Sequence, residues 1–202
     1  MIFVDASLLV VNKPAGLLAV LGRGEDKQDC LAARLQKEFP DTLAVHRLDM
    51  ATSGLMVFAR GLGVQRSLSR MFQEHKMNKR YIAIVAGQLA SPAGEIDLPI
   101  ATDWPNRPRR KIDSDTGKPS LTRYTVLEYD TVSDTSRIEL EPVTGRTHQL
   151  RIHLAAIGHP ILGDALYGNV ASAPRLMLHA HSLQFIHPIN GTLLNFEHPG
   201  LS

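Results

Sequence analysis

Apolar residues in this chain fall into short runs separated by turn-forming clusters. Ile2–Val4 and Leu8–Val11 read as two strands around an Asp5-Ala6-Ser7 turn, and Lys13-Pro14-Ala15-Gly16 breaks the pattern. The polar stretch 22–29 reads as a mobile loop. Leu31, Leu35 and Phe39 share a helical face, which predicts a short helix over 31–39 with Pro40 as its stop. Leu43, Ala44 and Val45, and then Leu55, Met56, Val57 and Phe58, read as two buried strands flanking a polar interruption. From 64 to 76, Val64, Leu68, Met71 and Phe72 make an apolar stripe against Arg66, Arg70 and Glu74, so a second helix is expected. Residues 80–89 are rich in β-formers.

The second half reads as hairpins. Tyr124–Tyr129 pairs naturally with Arg137–Glu141, and 183–189 with 192–196 around Asn190-Gly191, the preferred type I′ turn dipeptide. Residues 101–120 have little apolar content and are expected as a long loop. A third helix is expected from about Thr147, with Leu150, Leu154 and Ile157 in register and Gly158 as its stop. Strands outnumber helices, so the expected class is α+β, with a mostly antiparallel, mixed central sheet, a few flanking helices and long loops.

With 202 residues, one domain covering 1–202 is expected. Hydrophobic residues make up 44% and charged residues 21%, as in soluble globular proteins. No apolar run approaches the ~20 residues of a membrane span, and Asp5 interrupts the apolar N-terminus. Cys30 is the single cysteine, which excludes an intrachain disulfide framework and fits a reducing cytoplasm; at the start of a short helix it reads as a small core residue. A net charge of +2 permits a polyanionic partner without requiring one.

Two places carry chemistry. His46, Arg47 and Asp49 lie in a loop between apparent core strands, where charged groups are costly to place. Arg146, His148, Arg151 and His153 crowd the start of the third helix, although cations there oppose the macrodipole. Breaking that local rule suggests a site, and the cluster suits a phosphate or a carboxylate. A metal is not expected: the nine histidines include no HExxH spacing and no thiolate accompanies them. A hydrolase triad from His46, Asp49 and Ser53 is disfavoured by the absence of a GxSxG elbow.

The stretch HRLDMATSGLMVFA closely resembles the signature of RluA-type pseudouridine synthases. GRTHQLRIHL resembles the element that carries their active-site arginine, and Lys79-Arg80-Tyr81-Ile82-Ala83 the strand opened by their tyrosine. Pro99-Ile100, Arg107 to Lys111 and Gly117-Lys118-Pro119 match a further element, so the resemblance runs from about residue 2 to the C-terminus. It implies the pseudouridine synthase fold, without the S4-type RNA-binding domain that many relatives carry. It also implies Asp49 as the catalytic residue, Arg151 as the partner of its carboxylate, and Tyr81 as a group that stacks on uracil and assists loss of the C5 proton.

The implied reaction isomerises uridine in RNA, with a tRNA anticodon stem-loop, a 23S rRNA loop, or both as expected substrates. It needs no cofactor, because no redox change occurs and no atom is lost. Arg47 is expected to fill the space left by the extruded base. His46, Arg107, Arg109, Arg110, Lys111, Arg146 and His148 are expected to contact RNA. The protein is expected to be a cytoplasmic monomer. Two competing classes remain at this level: a non-catalytic RNA-binding module, which has no use for Asp49 beside phosphates, and a glycosidase-like enzyme, which wants a second carboxylate. The segment Glu74-His75-Lys76-Met77-Asn78 has no interpretation from sequence.

Overall fold

The computed structural model describes residues 1–22 and 28–201. Most of the expected polar loop over 22–29 thus lies outside the described residues. Contacts divide the chain into two compact units, one of Met1–Lys79 with His179–Gly200, the other of Arg80–Leu178 with Leu201.

The first unit is built around β4 (Ser53–Arg60), whose residues are buried almost throughout. That burial explains the unbroken run LMVFA in place of alternation. Strand β2 (Leu8–Lys13) pairs antiparallel along one edge of β4, and β1 (Phe3–Val4) folds back on β2. On the other edge β3 (Thr42–Ala44) pairs antiparallel with Ala59 and its neighbours, while β11 (Leu178–Ile186) pairs parallel at Ser53 and Gly54. Strand β12 (Leu193–Glu197) completes a hairpin with β11. Helix α2 (Leu62–Gln73) inserts Val64 and Leu68 into a core with Leu8, Val10, Leu55, Val57, Leu183 and Phe185. Helix α1 (Leu31–Gln36) is shorter than expected, ending in turns before Pro40. Buried Cys30 is its N-cap, its Sγ accepting from Ala33 N at 3.4 Å.

The second unit is an antiparallel sheet in the order β5-β10-β9-β6. Strand β5 (Asn78–Ala86) pairs with β10 (Thr135–Pro142), which pairs with β9 (Leu121–Asp130), which pairs with β6 (Ala93–Asp97). Helix α3 (Gln149–Ala156) packs on β9 and β10. The class is therefore α+β with antiparallel ladders dominant, as the sequence predicts, and three α-helices among the described residues. The uninterpreted segment after α2 is a turn: His75 takes a left-handed φ of 54°, and Met77 returns to the core.

Two expectations are corrected. The stretch 101–120 is not simply a loop: β7 (Ile100–Thr102) and β8 (Arg110–Ile112) form a hairpin within it. Asn190-Gly191 does not form a two-residue type I′ turn, which requires positive φ at both positions. Only Gly191 has it (φ 73°), and the loop closes more widely, from His187 N to Thr192 O. The cause is His187. Its buried Nδ1 accepts from Ile189 N and Asn190 N, while its Nε2 donates to Asp5 Oδ2, so the side chain satisfies the wider loop.

Gly54 sits where β4 meets β11, with φ 119°, and a Cβ there would come within 2.4 Å of the Ala180 backbone. Gly54→Ala is expected to destabilise by more than about 2 kcal/mol, combining strain with a backbone clash. Gly61→Ala has φ 81° but open space, and its cost should be smaller. Thermal denaturation of the two variants side by side checks the ordering.

Candidate active site

The polar loop between β3 and β4 is held from below. Leu48 is buried, Arg47 is exposed and Asp49 is half-buried. Thr52 N donates to Asp49 O at 3.1 Å, making a turn whose next carbonyl, Met50 O, points at the end of β2. There it accepts from Gly16 N at 2.8 Å and from the Lys13 ammonium at 3.1 Å. Lys13 is fully buried, and its Nζ also donates to Pro14 O at 2.9 Å and Leu17 O at 2.7 Å. Three carbonyls therefore replace its water. Burial pushes its pKa down to about 8, and the negative charge of Asp49 opposes that shift. A buried ammonium thus sits close enough to Asp49 to feel its carboxylate.

His46, half-buried, is engaged within its own unit. Its Nε2 accepts from Val57 N at 3.1 Å, and its ring stacks on Phe72 at 4.5 Å. Burial, with a smaller contribution from the nearby Lys79 charge, pushes its pKa down to about 3, so the ring is neutral and its second nitrogen carries the proton. Ser53 hydrogen-bonds His179 at 2.8 Å.

In the second unit, Gln149 fixes the start of α3. Its Oε1 accepts from Thr144 Oγ1 and Arg146 N, and its Nε2 donates to Leu121 O and Thr122 Oγ1. His148 precedes it in the left-handed region, φ 58°. One turn on, the buried Arg151 makes a bidentate pair with Asp164, at 2.8 Å from Nε and 2.7 Å from Nη2. Burial alone would raise the Asp164 pKa, but Arg151 and the N–H groups of Leu166 and Tyr167 outweigh it and hold the carboxyl below its usual range. Tyr167 lies beside the guanidinium, its ring centroid 5.3 Å from Arg151 Cζ. Its hydroxyl stands 2.8 Å from His148 Nδ1 and accepts from Arg110 N at 2.8 Å.

The other cations divide by environment. His153 is buried and structural: Nε2 donates to Leu98 O and Nδ1 accepts from Thr122 Oγ1. Arg110 turns back onto Thr102, and Lys111 pairs with Asp113 at 2.6 Å. Arg107 and Arg109 stand at the exposed hairpin tip, while Arg146 is exposed with its Nε donating to Pro119 O. Tyr81 is buried on β5 opposite Leu140. Among the described residues no cluster of three or more His, Cys, Asp or Glu is arranged to hold a metal, and no helix is long and apolar enough to cross a membrane.

Sequence reading passed over Lys13, Asp164 and Tyr167. The signal for Lys13 was a lysine ending an apolar strand. For the other two it was an acid and an aromatic inside the small-residue stretch Gly163-Asp164-Ala165-Leu166-Tyr167-Gly168.

Residues 7–156 match the family model described as RNA pseudouridylate synthase. The chain belongs to this family. The dual-specificity RNA pseudouridine synthase RluA of Escherichia coli (strain K12) is 47% identical over 201 residues, covering 98% of this chain and 91% of that protein. The protein of the same name in Yersinia pestis is 48% identical over 199 residues, with 97% and 96% covered. Among solved structures, human RNA pseudouridylate synthase domain containing 1 superposes with TM-score 0.81 at 31% identity, covering 98% of this chain and 82% of that one. Human RNA pseudouridylate synthase domain containing 4 gives 0.77 at 26%, covering 98% and 87%. The fold is that of the pseudouridine synthases, and the enzyme is an isomerase with an RNA substrate.

The lysine makes stability depend on pH. Its folded pKa, about 8, lies below the ordinary 10.5. Between these values the unfolded chain holds a proton that the folded chain has released, so stability rises with pH across that window. Urea titrations from pH 7.5 to 10 should show the rise in the parent protein and a flatter curve in Lys13→Met. Asp164→Asn should cost about 3–5 kcal/mol, because it leaves the buried Arg151 charge without its carboxylate. The urea midpoint should fall with an unchanged m-value.

Proposed function

We propose that Asp49 is the catalytic carboxylate of a pseudouridine synthase acting on two kinds of structured RNA, a tRNA anticodon stem-loop and a 23S rRNA loop. The observation that carries the residue assignment is Asp49 itself: an acid in the HRLD motif, on a loop fastened from beneath by the buried ammonium of Lys13. A carboxylate meant only for solvent needs no such support. The choice of two RNAs is supported by the dual specificity in the names of the bacterial relatives.

The chemistry breaks N1–C1′, rotates the uracil and joins C5 to C1′. The C5 proton leaves and N1 takes one up, with no net change of electrons. Asp49 attacks C1′ or removes the C2′ proton; both routes use its ionised form. Arg151, held flat by Asp164, serves as the cation of the reaction. Tyr81 stacks on the uracil and assists removal of the C5 proton. The target base must leave its stack to be reached, and exposed Arg47 is suited to replace it against its neighbours. His46 positions the loop through Val57 and Phe72. His148 holds Tyr167, while Arg146, Arg107 and Arg109 supply positive charge for phosphates. Residues 1–202 act as one catalytic domain, which works in the cytoplasm as a monomer without cofactor or metal.

Asp49→Asn should abolish tritium release from C5-labelled uridine RNA while RNA binding stays within about threefold, since charge is lost from the chemical step alone. Full retained activity would remove Asp49 from its role. Arg151→Lys should lower turnover by about 100-fold, the scale on which loss of a fixed electrostatic partner commonly falls. Single-turnover kinetics with a stem-loop substrate measure both.

A further inference from the structure

The chain has one tryptophan, Trp104, and it is 68% exposed at the tip of the β7–β8 hairpin. A single exposed apolar residue is ordinary on a protein surface. This one is organised. The guanidinium of Arg107 lies over the indole, with Cζ 3.9 Å from the ring centroid. The tip between them is closed on itself: Asp103 N donates to Arg109 O, Arg109 N to Asn106 O, and Asn106 Nδ2 to the Asp103 carboxylate. The hairpin is also tied to the Arg151 network through the hydrogen bond from Arg110 N to Tyr167 Oη. A fixed cation–indole pair is thus presented to solvent from a hairpin anchored on Tyr167, the ring beside Arg151.

We propose that Trp104, backed by Arg107, is a stacking platform for an unpaired nucleobase of the RNA substrate, in addition to any phosphate contacts of this hairpin. This rests on the RNA reading above. Arg107 covers one side of the ring and fixes its direction, so a base adding to the indole meets a surface whose ordering is already complete. Arg109, exposed beside it, supplies charge that favours a polyanion over an uncharged partner. Stacking reads any base face, so the platform selects for unpaired nucleotides and not for a sequence. It would favour a loop-bearing RNA over a continuous duplex.

Trp104 is its own probe, because no other tryptophan contributes to the emission. The full-length Asp49→Asn protein is titrated with a labelled uridine-containing stem-loop, with the same stem-loop carrying abasic loop positions, and with a duplex. RNA anisotropy reports binding and tryptophan emission reports stacking. Emission should be quenched at saturation by the intact loop and not by the abasic loop or the duplex. Trp104→Ala should weaken stem-loop binding about tenfold, Trp104→Phe should restore most of it, and Trp104→Leu should not. Thermal midpoints should stay unchanged, since the ring is exposed. Unaltered emission at saturation, or Trp104→Ala binding within twofold of its parent, overturns the platform while leaving the isomerase assignment standing on Asp49. Absence of any RNA binding would overturn both.

Discussion

An ammonium group taken out of water must find replacements for its hydration, and Lys13 finds them in three backbone carbonyls from two segments of the chain. Pro14 and Leu17 belong to the break after β2, and Met50 follows Asp49 directly. The group therefore fastens two otherwise irregular segments to each other. Neither has a ladder of its own to fix it. The acid depends on this clamp for its place, and the clamp is made tolerable in part by the acid's charge. The two charges support one another, the ammonium buried and the carboxylate half-buried.

The second unit repeats the principle with opposite signs. There a carboxylate, Asp164, is the hidden group, and the cation it serves is Arg151. The bidentate geometry removes rotational freedom from the guanidinium, and Tyr167 flanks it. The hydroxyl of the same tyrosine reaches the hairpin and the strained His148, so one aromatic ring coordinates a helix start, a guanidinium and a protruding element.

What was legible in the sequence follows from what each signal reports. Alternation and apolar runs report burial, so β2, β4, β9, β10 and α2 stand where the pattern places them. The motif words locate Asp49 and Arg151 because they are contiguous. Lys13 was hidden because lysine is almost always a solvated residue, and its burial depends on a carbonyl that arrives from residue 50. Asp164 was hidden because a loop acid has many ordinary uses, and only its approach to residue 151 distinguishes it. The partners of His46 were hidden for a related reason. A polar residue beside the motif acid Asp49 gives no sign in the sequence that its ring meets Val57 and Phe72. The Asn190-Gly191 turn failed locally: a histidine side chain outcompeted the dipeptide's own preference.

The parallel junction of β4 with β11 has a consequence for how the molecule is made. The unit that carries Asp49 is discontinuous, needing residues 179–200 beside a strand completed by residue 60. The intervening residues, Arg80–Leu178, hold a sheet whose ladders all close within that stretch, the tightest of them between β9 and β10. Local ladders close early and distant ones late, because the intervening chain must first be gathered in. During synthesis the inserted unit can mature while the flanking one waits, with β4 lacking a neighbour on part of one edge until the tail leaves the ribosome. A chain cut short before residue 179 would keep the Arg151–Asp164 pair within its own unit and would lack the strand that pairs with β4 at Ser53 and Gly54.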